Sequence, residues 1–152
     1  MEIGRIHSRE LFLYLLDKEV KRARRHQYSF CILNLTISQL PNNKNDNGLQ
    51  TCVQRLIHFL GEELRESDIL GFLAEYQVVV SLPYTDPNAG SRVQSRFADG
   101  LKNFDFKKEG CEVKIDRICF PINGMNTSDL IGKLMKKQVN ERRHHRGMEW
   151  RR

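Results

Sequence analysis

The chain has 152 residues, 39% hydrophobic and 29% charged, with a formal net charge of +6. That is enough for one domain with a substantial core, and ordinary for a globular protein. No apolar run approaches the length of a membrane-spanning helix, and the N-terminal segment Met1 to His7 lacks the apolar region of a signal peptide.

The charge is unevenly placed. Residues 133–152 hold eight Lys or Arg against Glu141 and Glu149, while the other 132 residues balance 17 basic with 17 acidic side chains. An argument for nucleic-acid binding therefore rests on the tail alone. Cys31, Cys52, Cys111 and Cys119 show no CxxC spacing and read as reduced core thiols of a cytosolic protein. His7, His26, His58, His144 and His145 form no metal-ligand spacing with cysteines or acids.

In chain order, Ser8 caps a helix whose Phe12, Leu15, Leu16 and Val20 recur on one face. The helix ends in the basic cluster Lys21, Arg22, Arg24 and Arg25, which suits a helix C-terminus. Tyr28 to Ile37 carries the near-continuous apolar run of a central strand. Residues 39–50 are polar and turn-rich, and read as a loop. A second helix is expected from about Thr51 to Arg65, with Val53, Leu56, Ile57, Leu60 and Leu64 on its buried face. Ile69 to Phe72 and Gln77 to Leu82 read as strands joined by a turn over Leu73 to Tyr76. Asp86-Pro87 starts a third helix, along which Ala89, Val93, Phe97 and Leu101 repeat every four residues. Val113, Ile115, Ile118 and Phe120 suit one or two strands, and Thr127 or Ser128 caps a last helix. The order implies an α+β sheet with helices packed on it.

Five fragments in this order resemble the GGDEF domain family, the diguanylate cyclases that join two GTP into cyclic di-GMP. They are Arg9-Glu10-Leu11-Phe12; Arg22-Ala23-Arg24-Arg25; the strand Cys31 to Thr36; Leu64-Arg65-Glu66-Ser67-Asp68-Ile69-Leu70; and Val78-Val79-Val80-Ser81-Leu82-Pro83-Tyr84-Thr85. The likeness covers roughly residues 5–139. It implies a palm-like nucleotidyl-cyclase domain, with a mostly antiparallel sheet of about five strands flanked by helices. Residues 1–140 would form a degenerate GGDEF domain and residues 141–152 a basic C-terminal tail.

The resemblance places Ala74-Glu75-Tyr76-Gln77-Val78 where Gly-Gly-Asp-Glu-Phe would stand, and every position differs. In the family, carboxylates of the first strand and of this motif hold Mg²⁺ beside the substrate phosphates. The matching residues Asn34, Thr36, Tyr76 and Gln77 are neutral, and Glu75 is displaced by one residue. The asparagine-rich loop (Asn42, Asn43, Asn45, Asn47) and the ending Lys136, Lys137, Gln138 and Val139 also depart from the family pattern. The resemblance thus implies a chain that is not an enzyme and holds no cofactor.

What survives is the Arg-x-x-Asp pair of the family's product-binding inhibitory site, here Arg65 and Asp68. Arg96 matches the arginine that the following helix adds, and Arg92 lies one turn before it. An arginine fork suits guanine's O6/N7 edge and phosphates, and a carboxylate suits guanine's N1–H and N2–H₂ donors. The resemblance therefore implies a bacterial, cytoplasmic, nucleotide-binding receptor for cyclic di-GMP in signal transduction. It would act on a partner protein, a fused signalling domain or a homodimer, with no specific nucleic acid. The alternative is an interaction or dimerisation module of the same fold with no nucleotide ligand, in which Arg65 and Asp68 are an ordinary helix end. A residual enzyme or GTP-binding regulator is a third reading. The basic tail, with Trp150 in it, is either a solvated end or an electrostatic contact for an acidic partner, nucleic acid or anionic lipid.

Overall fold

The computed structural model describes residues 5–41 and 46–135, apart from the side chains of residues 46 and 47. Its elements run α1 (Arg9–His26), β1 (Phe30–Gln39), α2 (Asp46–Glu63), β2 (Ile69–Ala74), β3 (Gln77–Leu82), α3 (Pro87–Leu101) and β4 (Cys111–Phe120). Residues 127–135 are helical and are called α4. The four strands form one sheet in the order β2-β3-β1-β4, with every pair antiparallel. The segment 111–120 is one strand, which gives the described sheet four strands where the sequence allowed about five.

Strand alternation divides the core between the two faces of this sheet. Leu33, Leu35 and Ile37 of β1 and Val78, Val80 and Leu82 of β3 pack against α2 and α3. Phe30 and Ile32 of β1, Val79 of β3, and Ile118 and Phe120 of β4 pack against α1 and α4. The α1 stripe Phe12, Leu16, Val20 and Ala23 is fully buried there. The helix approaches so closely that a Cβ on Gly71 of β2 would stand 2.6 Å from the Phe12 side chain. Only a glycine admits that contact without moving the helix.

The local signals act as their chemistry requires. The Ser8 side chain accepts from Leu11 N, and the Asp86 side chain accepts from Ala89 N with Pro87 at the first turn. Three boundaries differ from the sequence reading. The second helix starts at Asp46, about one turn early, because Leu49 continues the stripe of Val53, Leu56 and Leu60 and packs on the same core. The hairpin is tighter than four residues: Leu73 is fully buried and Ala74 pairs with Gln77, leaving only Glu75 and Tyr76 in the turn. The cap of α4 is Asn126, whose Oδ1 accepts from Asp129 N at 2.8 Å. Thr127 instead donates to Asp17 Oδ1 at 2.8 Å and ties α4 to α1.

The expectation of four reduced core thiols is also corrected. Cys31 and Cys119 are register partners on β1 and β4 and are joined as a disulfide, while Cys52 and Cys111 are free and buried. A pairing across 88 residues comes from strand register, which spacing along the chain does not reveal. The basic tail, the ending at Lys136 to Val139, and Asn42, Asn43 and Asn45 lie outside the described residues.

Candidate functional site

The helix α2 ends at Glu63, and a turn over 64–68 carries the chain into β2. Asp68 closes that turn. Its Oδ2 accepts from Arg65 N at 2.8 Å, and its Oδ1 accepts from Arg65 Nε at 3.1 Å and NH2 at 2.8 Å. The Asp68 side chain is 3% exposed and that of Arg65 is 57% exposed. The carboxylate is thus used from inside, and the guanidinium presents its remaining edge to solvent. Arg65 NH2 also donates to Pro83 O at 3.3 Å, which fixes the fork against the end of β3. With Nε and NH2 committed to Asp68 and Pro83, NH1 is the donor group left to solvent.

Arg96 reaches the same end of α2 from α3. Its neighbour Phe97 is buried and meets Phe59 of α2 edge to face, and this packing seats α3 beside α2. Arg96 Nε lies 3.9 Å from Glu63 Oε1, two residues before Arg65, and its side chain is exposed. Arg92 is exposed one turn earlier on α3. The structure therefore brings Arg65 and Asp68 into direct contact and sets Arg96 beside Glu63, at the end of the same helix. It leaves Asp68 enclosed rather than facing outward.

Two residues of this region carry no signal in the sequence. Arg5 NH1 donates to Gly61 O at 3.4 Å and Leu64 O at 3.5 Å, and NH2 donates to Arg65 O. These are carbonyls that the end of α2 leaves without helical partners. No basic residue occupies the last turn of α2, and a guanidinium from about 60 residues away takes that role. Glu63 reads as one more solvated carboxylate until the fold sets Arg96 beside it.

Of the positions matched to the metal-holding residues, Asn34, Thr36 and Gln77 lie on the α1 and α4 side of the sheet. Asn34 and Gln77 are 1% and 0% exposed. Gln77 Nε2 donates to Asn34 Oδ1 at 2.8 Å and to Leu134 O of α4 at 3.4 Å. Asn34 Nδ2 and Gln77 Oε1 have no partner among the described residues. Asp116 is Asn34's register partner on β4, an acid beside the pair that the motif comparison does not reach. Glu75 is exposed in the turn, and Tyr76 is half-buried against the α2 side of the core. None of Ala74, Glu75, Tyr76, Gln77 and Val78 has a positive φ, so this hairpin does not use the backbone freedom of a glycine pair. Among the described residues no three His, Cys, Asp or Glu stand close enough together to hold a metal ion.

No protein-family model and no curated protein matches the sequence. Solved structures do match. A DGC protein from Thermotoga maritima superposes with a TM-score of 0.76 at 17% identity, covering 90% of this chain and 98% of that one. The diguanylate cyclase SiaD of Pseudomonas aeruginosa, solved with its activator SiaC, gives 0.74 at 18% identity, covering 91% of this chain and 56% of SiaD. The GGDEF domain of DgcB from Caulobacter crescentus, solved with c-di-GMP, gives 0.68 at 11% identity, covering 92% and 85%. The sheet order, the helices on its two faces and these superpositions agree: the chain has the GGDEF, diguanylate cyclase-like, fold.

Proposed function

We propose that this GGDEF-fold chain is a cyclic di-GMP receptor without cyclase chemistry, and that Arg65 is the residue its ligand meets first. The observation that carries the reading is the grip of Asp68 on Arg65, which orients an exposed guanidinium, its NH1 open, between the end of α2 and the end of β3. A preorientated guanidinium with NH1 open suits a guanine O6 or N7 acceptor or a phosphate oxygen. Arg96 and Arg92 supply further positive charge from α3. Asp68 acts by holding Arg65, and the more open Glu63 is the carboxylate available to guanine's N–H edge. Loss of synthesis follows from Asn34 and Gln77, neutral and sealed where the resemblance expects hard oxygen ligands for a metal.

Binding would bias a surface shared with a partner protein, a fused signalling domain or a second copy of the chain in the cytoplasm. No helix among the described residues is long and apolar enough to cross a membrane. Titration calorimetry with cyclic di-GMP tests the reading. Heat that saturates in the wild type and vanishes in Arg65→Ala supports it, and no heat at high micromolar ligand removes it.

A second reading has its own observation. Arg65 and Asp68 satisfy one another without a ligand, as a structural turn requires. A chain that keeps the fold as an interaction or dimerisation module would show an unchanged melting temperature with cyclic di-GMP, GTP and GDP, together with a stable oligomer.

A further inference from the structure

A cavity of about 360 Å³ opens between α1 and the strands β2 and β3, away from Arg92 and Arg96. Its size falls in the range of small-ligand sites, about 300–1,000 Å³. Alternation sends Ser81 of β3 to the α1 side of the sheet, where it lies on the cavity wall with Phe12 and Leu16 of α1. Ser81 is 4% exposed, and its hydroxyl is not among the sealed side-chain atoms left without a partner, so it is open to the cavity. A hydroxyl that faces an open cavity is solvated there and is a donor and acceptor for a ligand that displaces that water.

The polar side of the cavity is already organised. Glu19 is 8% exposed, and it accepts from Arg22 NH1 at 3.0 Å and from the Tyr28 hydroxyl at 2.7 Å. Burial, reinforced by that hydrogen bond to Glu19, pushes the Tyr28 phenol above its ordinary range and keeps it a donor. Glu66 stands exposed across the opening.

The rim is formed by Tyr84. Its ring is stacked on Tyr28, with centroids 4.0 Å apart and planes at 28°. It is 71% exposed and holds a φ of 52°. Bulky residues rarely adopt that conformation, whose occupants are mostly Gly, Asn and Asp. An exposed aromatic ring held at an unfavourable φ beside a cavity is the kind of outlier from which a function is inferred.

We propose that this cavity binds a planar nitrogen heterocycle of nucleobase or nucleoside class, stacked on Tyr84, with its N–H edge on Glu66 and an acceptor on the Ser81 hydroxyl. The charge balance selects the class. Two carboxylates face one guanidinium that is already committed to Glu19, an unfavourable setting for a phosphate group. An aliphatic ligand would displace the water there and leave the Ser81 hydroxyl without a partner. The cavity borders the Arg65 site, since Glu66, Ser67 and Pro83 line it and Pro83 O accepts from Arg65 NH2, but no arginine of that site lines it, and nucleoside binding that Arg65→Ala leaves intact separates the two readings.

The experiment is a protein-observed NMR titration of the full chain with adenosine, guanosine and, as the apolar control, p-cresol. A nucleoside should shift Ser67, Ser81 and Tyr84 and saturate. Tyr84→Gly should weaken it by about tenfold or more, the size of one base–aromatic stack. Tyr84→Phe should restore binding, and Ser81→Val should weaken it severalfold, the size of one neutral hydrogen bond. Tyr84→Gly should also hold or raise the melting temperature, because glycine takes the positive φ freely. No saturable shifts with either nucleoside, or shifts that Tyr84→Gly leaves intact, would overturn the site. Equal binding of p-cresol would overturn the ligand class.

Discussion

Gln77 Nε2 donates to Asn34 Oδ1 over 2.8 Å between two side chains sealed inside the domain. Neither residue is charged, and each keeps one polar atom unmet among the described residues. The pair therefore contributes little net stability while it stands, and leaves a buried orphan when half of it is removed. Asn34→Leu or Gln77→Leu alone should lower stability by about 1–3 kcal/mol. The double substitution should cost less than the sum, by coupling across the direct contact. Denaturant melts of the four proteins measure it, and additive losses would show that the two amides do not act as a unit.

The same pair bears on catalysis. Incubated with GTP and Mg²⁺, the chain should form no cyclic di-GMP, because amides do not supply the hard anionic oxygens that the metal requires. Chromatography of the nucleotide products is the measurement, and turnover above the no-protein control would contradict the inactive reading.

Asp68→Ala should destabilise the fold as well as loosen Arg65. It removes the acceptor of the Arg65 backbone N–H and of its guanidinium. With Arg65 open to solvent, the ion pair itself counts for little, and about 1–2 kcal/mol is expected from the lost hydrogen bonds. Arg5→Ala should cost about 1 kcal/mol by uncovering the carbonyls at the end of α2. At roughly 2–4 °C per kcal/mol for a chain of this size, calorimetric melting resolves both.

Alkaline pH should weaken the fold through Cys52. Burial first, then the hydrogen bond with Cys111, push its thiol from an ordinary 9.0 up to about 12. The folded state therefore holds this proton more tightly than the unfolded state. Its contribution is complete below the unfolded value and is lost as pH rises toward the folded one. Melting temperature followed from about pH 8 to pH 11 should fall more steeply in the wild type than in Cys52→Ala. Parallel curves would show that Cys52 is not involved.

Much of this architecture is legible in the residues because its signals are local. Ser8 and Asp86 cap their helices, Phe12, Leu16 and Val20 mark the buried stripe of α1, and the alternation of β1 and β3 builds both faces of the sheet. The features that escape a reading of the chain are set by tertiary proximity. Asp46 to Gln50 has the composition of a loop yet is helical, because Leu49 finds the core. Cys31 meets Cys119 only through the register of β1 and β4. At the candidate site, Arg65 and Asp68 come from the family resemblance, but the enclosure of Asp68, the capping by Arg5 and the bridge from Arg96 to Glu63 exist only after folding.

The central claim is tested most directly by titrating cyclic di-GMP into the wild-type chain and into Arg65→Ala by calorimetry. The account predicts saturable binding that is lost in Arg65→Ala while the variant keeps its cooperative melt. Wild-type protein that gives no heat at high micromolar ligand, or binding that Arg65→Ala leaves unchanged, would contradict it.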